Sequence, residues 1–542
     1  MHIIGATGEG KSKFIEHMIR EDIRAGHGLC LIDPHGDLYN DIVDWCTARK
    51  MLAGGRQTKI ILFDPSQDKW TFGFNPLEMA DSEISFFVDA MVRAVSKVWG
   101  GTNLDNTPLL KRCLRILFHA LIEKKLSLLE AGALIDPAKP DIRKYITHGI
   151  QDRIINQQWE YFNTLKPMAF YNEFGSTINK MMEFLSSPII KNIIGQTENT
   201  VDFRKLMDEG HILLVNLSTA TRLSEDNARL LGTLIVNDLF MKAKGRSKSN
   251  RRPFYLYIDE CARYVNEDIG RILDEMRKFG LHLILAHQHL KQLTKAGDEV
   301  YTSIMQNART KVVFGGLSVT EAEILAPELF VGEYDLEEGK KSLDKPVVVG
   351  YVKEWLKSHS TTTSHSSGSI DGQNIGSSWG QVTGDPLAGG TLPISSQSMG
   401  KQDSQSKGWQ ETVTDGETSG ESEAYVPILE ERTSSVYSLP EQIYKSVALM
   451  VNQPQRQAIV KFPKQKVRFI KTPFIRDEIV AESAVERFKE KSFELCEYAQ
   501  PISLIAPKLE KRLMSLEQEV EEREAPRKEP KQFQEKPSAI WE

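Results

Sequence analysis

GATGEGKS, at residues 5–12, is the stretch that decides the fold. It matches G-x-x-x-x-G-K-[ST] at every fixed position, a pattern typical of a loop that wraps nucleotide phosphates. A short apolar run at residues 2–4 precedes the loop, and apolar residues at helical spacing follow it up to Gly26. Strand, glycine-rich loop and helix in this order predict a nucleotide site.

The chemistry of this loop follows from its backbone and its last two side chains. Successive N–H groups of the loop are expected to point at phosphate, and Lys11 to reach the β- and γ-phosphate oxygens. The Ser12 hydroxyl is expected to bind Mg²⁺. The residues predicted to bind ATP are therefore Gly5, Ala6, Thr7, Gly8, Glu9, Gly10, Lys11 and Ser12.

Two later apolar runs end in polar residues. FYLYIDE, at 254–260, predicts a buried strand that places Asp259 and Glu260 beside the phosphate loop. Asp259 is expected to hold Mg²⁺ with Ser12, and Glu260 to orient and polarise the attacking water. LHLILAHQ, at 281–288, predicts a strand ending in Gln288, which could contact the γ-phosphate. His287 and His289 are interpreted as packing or surface groups.

The periodicity predicts an α/β fold, a RecA-like P-loop core with a parallel, doubly wound sheet. The division of the chain follows from changes in pattern and composition. We expect the first part of the core at 1–80, an all-helical insertion at 81–200, and the second part of the core at 201–355. A disordered Ser/Gly/Thr-rich linker is predicted at 356–424, an α/β completion of the core at 425–480, and a charged helical or disordered tail at 481–542.

Composition excludes some classes of protein. The five cysteines are scattered, without a CxxC pair, which indicates neither a disulfide framework nor a zinc site. No apolar run approaches the ~18–20 residues needed to cross a bilayer. We therefore expect a cytoplasmic chain that reaches the inner face of the cell membrane only through partners or a missing N-terminal segment. The net charge of −6 does not exclude DNA binding, because a motor can confine its basic groups to a channel.

Several motifs in one order resemble the HerA–FtsK superfamily of DNA-pumping ATPases, and above all the TraG/TraD-like coupling ATPases of conjugation and type IV secretion. The motifs besides the phosphate loop are IDPHGDL (32–38), FNPLE (74–78), DEGHILLVNLS (208–218), LYIDECARYV (256–265) and EMRKFGLHLILAHQ (275–288). The resemblance spans most of 1–330 and returns more weakly at 427–475.

The resemblance implies a homo-hexameric ring with ATP at the subunit interfaces and DNA, bound without sequence preference, in the central channel. It also implies an arginine donated to the neighbouring subunit's site, for which Arg277 is the candidate and Arg309 the reserve. Relaxosome or secretion-channel proteins are the implied partners, and ATP and Mg²⁺ the cofactors. Since relatives carry a further domain upstream, we expect Met1 to be an internal methionine.

The predicted function is an ATP-driven DNA translocase of conjugative transfer. A HerA-type motor in DNA repair and a secretion ATPase that moves protein remain open alternatives. A GTPase is disfavoured because the one N-K pair, at 179–180, is followed by Met-Met rather than by x-D. A small-molecule kinase would need an arginine-rich lid, and no such segment stands out in the sequence. A scaffold that does not hydrolyse ATP would have no need of Glu260. DPHGD, with Asp33, His35 and Asp37, is interpreted as a turn near the nucleotide rather than a metal site.

Overall fold

The computed structural model describes residues 1–52, 59–78, 83–99, 108–219, 222–265, 269–334, 347–366, 412–430 and 437–524. Its strands are β1 His2–Ile4, β2 Gly28–Asp33, β3 Ile60–Phe63, β4 Trp70–Phe72, β5 Ile212–Asn216, β6 Phe254–Ile258, β7 Leu281–His287, β8 Lys311–Phe314, β9 Val347–Ser366, β10 Thr412–Glu430, β11 Gln457–Lys461, β12 Arg468–Lys471 and β13 Ala499–Pro501.

The helices alternate with these strands in the core and follow one another in the middle of the chain. They are α1 Lys11–Ala25, α2 Asp37–Ala48, α3 Ile84–Trp99, α4 Pro108–Glu123, α5 Leu128–Leu134, α6 Pro140–Thr147, α7 Arg153–Thr164, α8 Pro167–Ser186, α9 Pro188–Ile194, α10 Phe203–Glu209, α11 Glu225–Lys244, α12 Ile269–Glu275, α13 Leu290–Ala296, α14 Asp298–Asn307, α15 Val319–Phe330, α16 Leu439–Val451, α17 Glu482–Leu495 and α18 Ile502–Glu524.

One nine-stranded sheet organises the first compact unit, which comprises 1–334 and 442–542. Among the described strands its order is β12-β11-β8-β1-β7-β6-β2-β5-β3. The pairs from β8 to β3 are parallel, whereas β11 lies antiparallel to both β8 and β12. The strands are apolar along nearly their whole length, as is typical of a sheet covered by helices on both faces. The predicted α/β fold with a mostly parallel sheet is therefore confirmed, with an antiparallel edge added.

The parallel arrangement sets the position of the site. β1 lies between β7 and β8, and β6 is the next strand beyond β7. The carboxyl ends of β1, β6 and β7 therefore meet at one edge of the sheet, where the strand order reverses and ligands usually bind in such folds. The phosphate loop, the acidic pair and Gln288 all follow these three strands.

Helices occupy the described residues between β4 and β5. Residues 177–194 lie on two helices, α8 and α9, because Pro188 cannot continue the helix that ends at Ser186. The buried centre includes an aromatic cluster in which Phe162 meets Phe174 edge-on with ring centroids 5.0 Å apart. No helix in the described part of the chain combines the length and the apolar character needed to cross a membrane.

The second compact unit comprises 335–441, and part of it differs from the disordered linker predicted at 356–424. β9 and β10 pair antiparallel as a long ribbon, so the prediction is wrong for 356–366 and 412–424. Ser and Thr side chains have few apolar contacts to offer, but Thr favours extended backbone, and pairing satisfies the backbone polar groups of each strand that face the other. Residues 367–411 lie outside the described part of the chain.

The C-terminal segment of the first unit packs on the sheet core and on the helical region between β4 and β5. β13 pairs with β4, and α17 contacts α2 and β3. On α18, Arg512 donates from Nε to Glu130 Oε1 (2.7 Å) and from its terminal nitrogen to Ser127 Oγ (3.0 Å). Glu130 is only 1% exposed, so Arg512 supplies the countercharge that this buried carboxylate needs. Leu509 of α18 packs against Leu129 of the helical region.

Asp238, on α11, is a buried acid within the core. One of its carboxylate oxygens has no hydrogen-bond partner among the described residues. Burial raises the pKa of Asp238 from 3.8 to about 7, although the nearby Lys242 opposes the rise. Near neutral pH this position therefore destabilises the fold.

Candidate nucleotide-binding and hydrolysis site

The phosphate loop is the short connection between β1 and α1. Gly8 has φ 88° and Gly10 has φ 101°, the left-handed backbone that residues with a side chain avoid. Gly10 is also the N-cap of α1 and, having no side chain, provides no side-chain hydrogen bond to the first N–H groups of that helix. These N–H groups make the start of α1 suited to an anion. The backbone therefore has the conformation that the predicted ATP loop requires.

Asp259 and Glu260 follow β6 directly and face Lys11. The Lys11 Nζ atom lies 3.4 Å from Glu260 Oε1 and 3.9 Å from Asp259 Oδ1. All three residues are nearly closed to solvent, at 5%, 7% and 3% exposed for Lys11, Asp259 and Glu260. Glu260 has φ 47°, a strained value for a residue other than glycine, of the kind that collects at functional sites. The structure thus brings together the lysine and both acids predicted from the sequence.

The two carboxyl groups differ in acidity. Burial raises the pKa of Asp259, and the neighbouring charges of Glu260 and Asp33 raise it further against the opposing effect of Lys11. Burial also acts to raise the pKa of Glu260, but the charge of Lys11 and the hydrogen bonds that Glu260 accepts outweigh it, so that pKa is lowered. The lowered pKa favours the carboxylate form of Glu260, the form that can orient and polarise a water molecule.

Two glutamines hold the Glu260 side chain. Gln288 Nε2 donates to Glu260 Oε1 at 2.7 Å, and Gln292 Nε2 donates to Glu260 Oε2 at 2.9 Å. Gln288 also accepts from Thr7 Oγ1 at 2.9 Å, which connects the end of β7 to the phosphate loop. Gln288, the residue predicted to contact the γ-phosphate, therefore contacts both Glu260 and the phosphate loop.

Gln292 is a site residue that the sequence reasoning missed. Its Oε1 accepts from the backbone N–H groups of Gln288 and His289, so it caps the start of α13 while its amide nitrogen reaches Glu260. The sequence held one indication, since His289 and Gln292 have the spacing of a capping box. The link to Glu260 depends on the pairing of β6 with β7, which no local pattern specifies.

The neighbouring histidines and the DPHGD turn serve the structure of the edge. His287 is buried and stacks on His2 with ring centroids 4.8 Å apart, and burial lowers the pKa of His287 to about 4. Asp33 accepts from the backbone N–H groups of His35 (2.9 Å) and Tyr39 (2.8 Å), so its carboxylate shapes the turn into α2. His289 is half exposed beside Glu321.

Two turns cover the other side of the phosphate loop. Gly316, after β8, has φ 74°, and a Cβ there would lie 2.6 Å from the Cβ of Ala6. Between α16 and β11, Arg456 donates its backbone N–H to Glu9 O at 3.0 Å, and Gln455 Nε2 donates to Gly8 O at 2.6 Å. The C-terminal return of the core thus contacts the loop directly, which the sequence did not indicate.

The two arginine candidates lie away from this site. Arg277 is exposed in the turn before β7, and Arg309 precedes β8. Both line an open cavity of about 710 Å³ together with Tyr255 and Leu281, near the amino ends of β6 and β7. Because β7 has seven residues at about 3.3 Å each, its two ends are roughly 20 Å apart. Neither arginine is brought to the phosphate loop of its own chain.

The residues at the loop fit ATP with Mg²⁺. Lys11 is a buried cation beside loop N–H groups, Ser12 is exposed on the first turn of α1, and Asp259 is a nearby acid. The described residues contain no group of three or more His, Cys, Asp or Glu side chains arranged to hold a metal ion. Mg²⁺ bound with a nucleotide needs no such group, since it takes one or two protein oxygens and completes its shell with phosphate and water. Fold and site together define a P-loop nucleotide-binding protein.

Comparisons with known proteins agree with this class. Residues 1–236 match the family model described as helicase HerA, central domain, and residues 253–380 match the one described as TraM recognition site of TraD and TraG. A search of curated proteins finds no match. These two matches confirm the likeness to the HerA–FtsK superfamily of P-loop ATPases, and to its TraG/TraD-like members, that the order of the motifs predicted.

Three solved structures of a conjugative coupling protein match this chain. The unbound bacterial conjugative coupling protein TrwB, lacking its first 70 residues, has 14% identity and a TM-score of 0.50, over 88% of this chain and 86% of that one. TrwB with a non-hydrolysable ATP analogue has 14% identity and a TM-score of 0.49, over 88% and 86%. TrwB with ADP and Mg²⁺ has 13% identity and a TM-score of 0.45, with the same coverage. The first likeness confirms the RecA-like fold.

Proposed function

We propose that this protein is an ATP-driven DNA translocase that serves as the coupling ATPase of conjugative transfer or type IV secretion. The observation that carries the proposal is the clamp on Glu260, which joins Lys11, Gln288 and Gln292 at one carboxylate. A carboxylate held in this way at the end of a strand is suited to hydrolysis, whereas nucleotide binding alone does not need it. The match to TraD and TraG over 253–380 supports the coupling role.

Each residue of the site has a task in this proposal. The loop N–H groups and Lys11 hold the β- and γ-phosphates, and Glu260 positions the water that attacks the γ-phosphorus. A bound triphosphate competes with Glu260 for the Lys11 ammonium, 3.4 Å away, so binding frees Glu260 to act on water. Gln288 contacts Glu260 and Thr7 together, and can therefore report whether the γ-phosphate is present. Mg²⁺, held by Ser12 and Asp259 when bound, neutralises phosphate charge.

A homo-hexameric ring accounts for the location of Arg277. Arg277 is exposed near the amino edge of the sheet, and the phosphate loop lies at the carboxyl edge. In a head-to-tail ring one subunit's amino edge faces the next subunit's carboxyl edge, so Arg277 completes the neighbouring site in trans. Such an arginine can contribute about 10³–10⁵ in turnover. Arg309 lines the same cavity and is the reserve candidate.

The proposed domain division assigns separate tasks along the chain. The helical region 81–200 is an insertion on the ATPase core, 1–80 with 201–355, and 425–480 completes the core. DNA lies in the ring channel, where contacts go mainly to phosphates, independent of sequence and sensitive to salt. Relaxosome proteins of the TraM type or secretion-channel proteins are the proposed partners.

The basic loop at 246–252 is not part of the proposed DNA surface. The Arg246 side chain is closed to solvent and pairs with Asp208, and it also donates to the backbone oxygens of Met207, Phe279 and Arg252. Arg251 donates to the Lys278 and Arg246 oxygens. These arginines therefore hold the turn before β6 to the turn before β7.

A HerA-type DNA-repair motor is the second candidate, because residues 1–236 match the HerA central domain. Both candidates require DNA, so hydrolysis by the purified chain is measured with and without DNA, beside Glu260→Gln. The proposal predicts hydrolysis that DNA stimulates, that falls with rising salt, and that Glu260→Gln abolishes. Hydrolysis indifferent to DNA would overturn both candidates and favour an ATPase that moves protein.

A further inference from the structure

A strap of chain, residues 472–478, runs from the phosphate loop along α1. At its start, Thr472 donates its backbone N–H to Arg456 O at 2.8 Å, and Arg456 in turn donates to Glu9 O of the loop. Towards its end, Asp477 accepts from Lys13 Nζ at 2.6 Å. The strap is thus fixed at two points that lie on either side of the N-terminus of α1.

Phe474 lies between these two anchors and faces solvent. Its side chain is 68% exposed, which is unusual for a large apolar group held on both sides. The guanidinium carbon of Arg456 lies 5.0 Å from the centre of its ring, within cation–π range. Arg456 also donates to Thr472 O at 3.1 Å, so it holds both the ring and the start of the strap.

The backbone of Arg456 shows that this position is constrained. Its φ is 64°, a left-handed value that a residue with a side chain adopts only when its surroundings compensate the cost. Gly10 approaches it closely, since a Cβ on Gly10 would lie 3.4 Å from the Arg456 Cα. The turn that carries Arg456 therefore contacts the phosphate loop, and the Arg456 side chain reaches from this turn to the Phe474 ring.

From this arrangement we propose that Phe474 is the platform on which the base of the bound nucleotide stacks, with Arg456 as a positioning residue. The inference rests on the proposed ATPase function and adds the subsite for the base. Phosphates held by the loop leave the base near the N-terminus of α1, where an exposed ring can cover one of its faces. Stacking accepts any purine, because every base offers a π-face, so this subsite contributes affinity rather than a choice between ATP and GTP.

The test separates the base from the phosphates. Binding of a non-hydrolysable ATP analogue and of inorganic tripolyphosphate is measured by calorimetry with the full chain. Phe474→Ala should weaken binding of the analogue by about 5- to 100-fold, the range for loss of one stacked base, and leave the affinity for tripolyphosphate unchanged. Phe474→Trp should bind the analogue as tightly as the wild type, and Arg456→Lys should retain more affinity for the analogue than Arg456→Ala. Phe469→Ala removes another exposed aromatic, 58% exposed on β12, and should change neither ligand.

Unchanged analogue binding by Phe474→Ala would overturn the platform, as would equal weakening of both ligands. Two other roles for the exposed ring would be stacking on single-stranded DNA and contact with a second copy of this chain. If Phe474→Ala lost DNA affinity or assembly but bound the analogue normally, the platform proposal would also be overturned. Failure of the proposed function is distinguishable. If the analogue binds through Phe474 but DNA does not stimulate hydrolysis, the translocase proposal fails and the platform stands.

Discussion

Removing Gln292 should make hydrolysis sensitive to acid. Glu260 accepts hydrogen bonds from Gln288 and Gln292, at 2.7 and 2.9 Å, and lies 3.4 Å from the Lys11 ammonium. The lowered pKa of Glu260 depends on these partners, since burial alone would raise it. A hydrogen bond to a charged group is worth about 1.5–3 kcal/mol, and losing it disfavours the carboxylate form by that amount. The pKa of Glu260 should therefore rise in Gln292→Ala.

The direction of the pH effect follows from the sign of this change. The carboxylate is lost as pH falls through the pKa, so a higher pKa moves the acid limb of kcat/KM to higher pH. On the acid side the variant should fall at least about tenfold below wild type, and near neutral pH the two should converge. The ratio of the two kcat/KM profiles removes the substrate's own ionisation. Lys291→Ala, an exposed neighbour on α13, is the matched control. A ratio independent of pH would refute the reasoning.

Three further changes test other parts of the structure. Gly316→Ala should lower ATP affinity by about tenfold, because its Cβ meets the phosphate loop. Gly332 is also at positive φ but has open space around it, so Gly332→Ala should cost only about 1 kcal/mol of stability. Calorimetry measures the affinity, and thermal melting measures the stability. Asp238→Asn should stabilise the fold above about pH 7 and have little effect in acid, since the raised pKa of Asp238 makes its ionised form cost about 4 kcal/mol. Denaturant unfolding in acid and above about pH 7 measures the difference in stability, and a difference independent of pH would contradict the prediction. Arg512→Ala should cost about 3 kcal/mol and increase hydrogen exchange along α18, whereas Lys511→Ala should not.

The predictable part of the site consists of residues at strand ends. Lys11, Asp259, Glu260 and Gln288 each follow a buried apolar run, and parallel strands bring their carboxyl ends to one edge whatever the strand order. Local pattern and one topological rule were therefore enough to place them together. Their catalytic roles remain predictions.

The part that the sequence did not show depends on pairing between distant segments. Arg456 reaches the phosphate loop because β11 joins β8 antiparallel, a contact across 140 residues or more that no local pattern encodes. The ribbon of β9 and β10 was missed for a different reason. A composition rich in Ser, Gly and Thr predicts disorder on average, but backbone pairing with a second strand does not require apolar side chains.

The central claim is that hydrolysis at Glu260 moves the chain along DNA, and displacement of a third strand from duplex DNA tests it most directly. The full chain is mixed with a duplex that carries a labelled triplex-forming strand, and release of that strand is followed in time. The account predicts release that requires ATP and Mg²⁺, fails with a non-hydrolysable analogue, and is abolished by Glu260→Gln and by Lys11→Ala. Active hydrolysis without any release, or release that proceeds equally well without ATP, would contradict it.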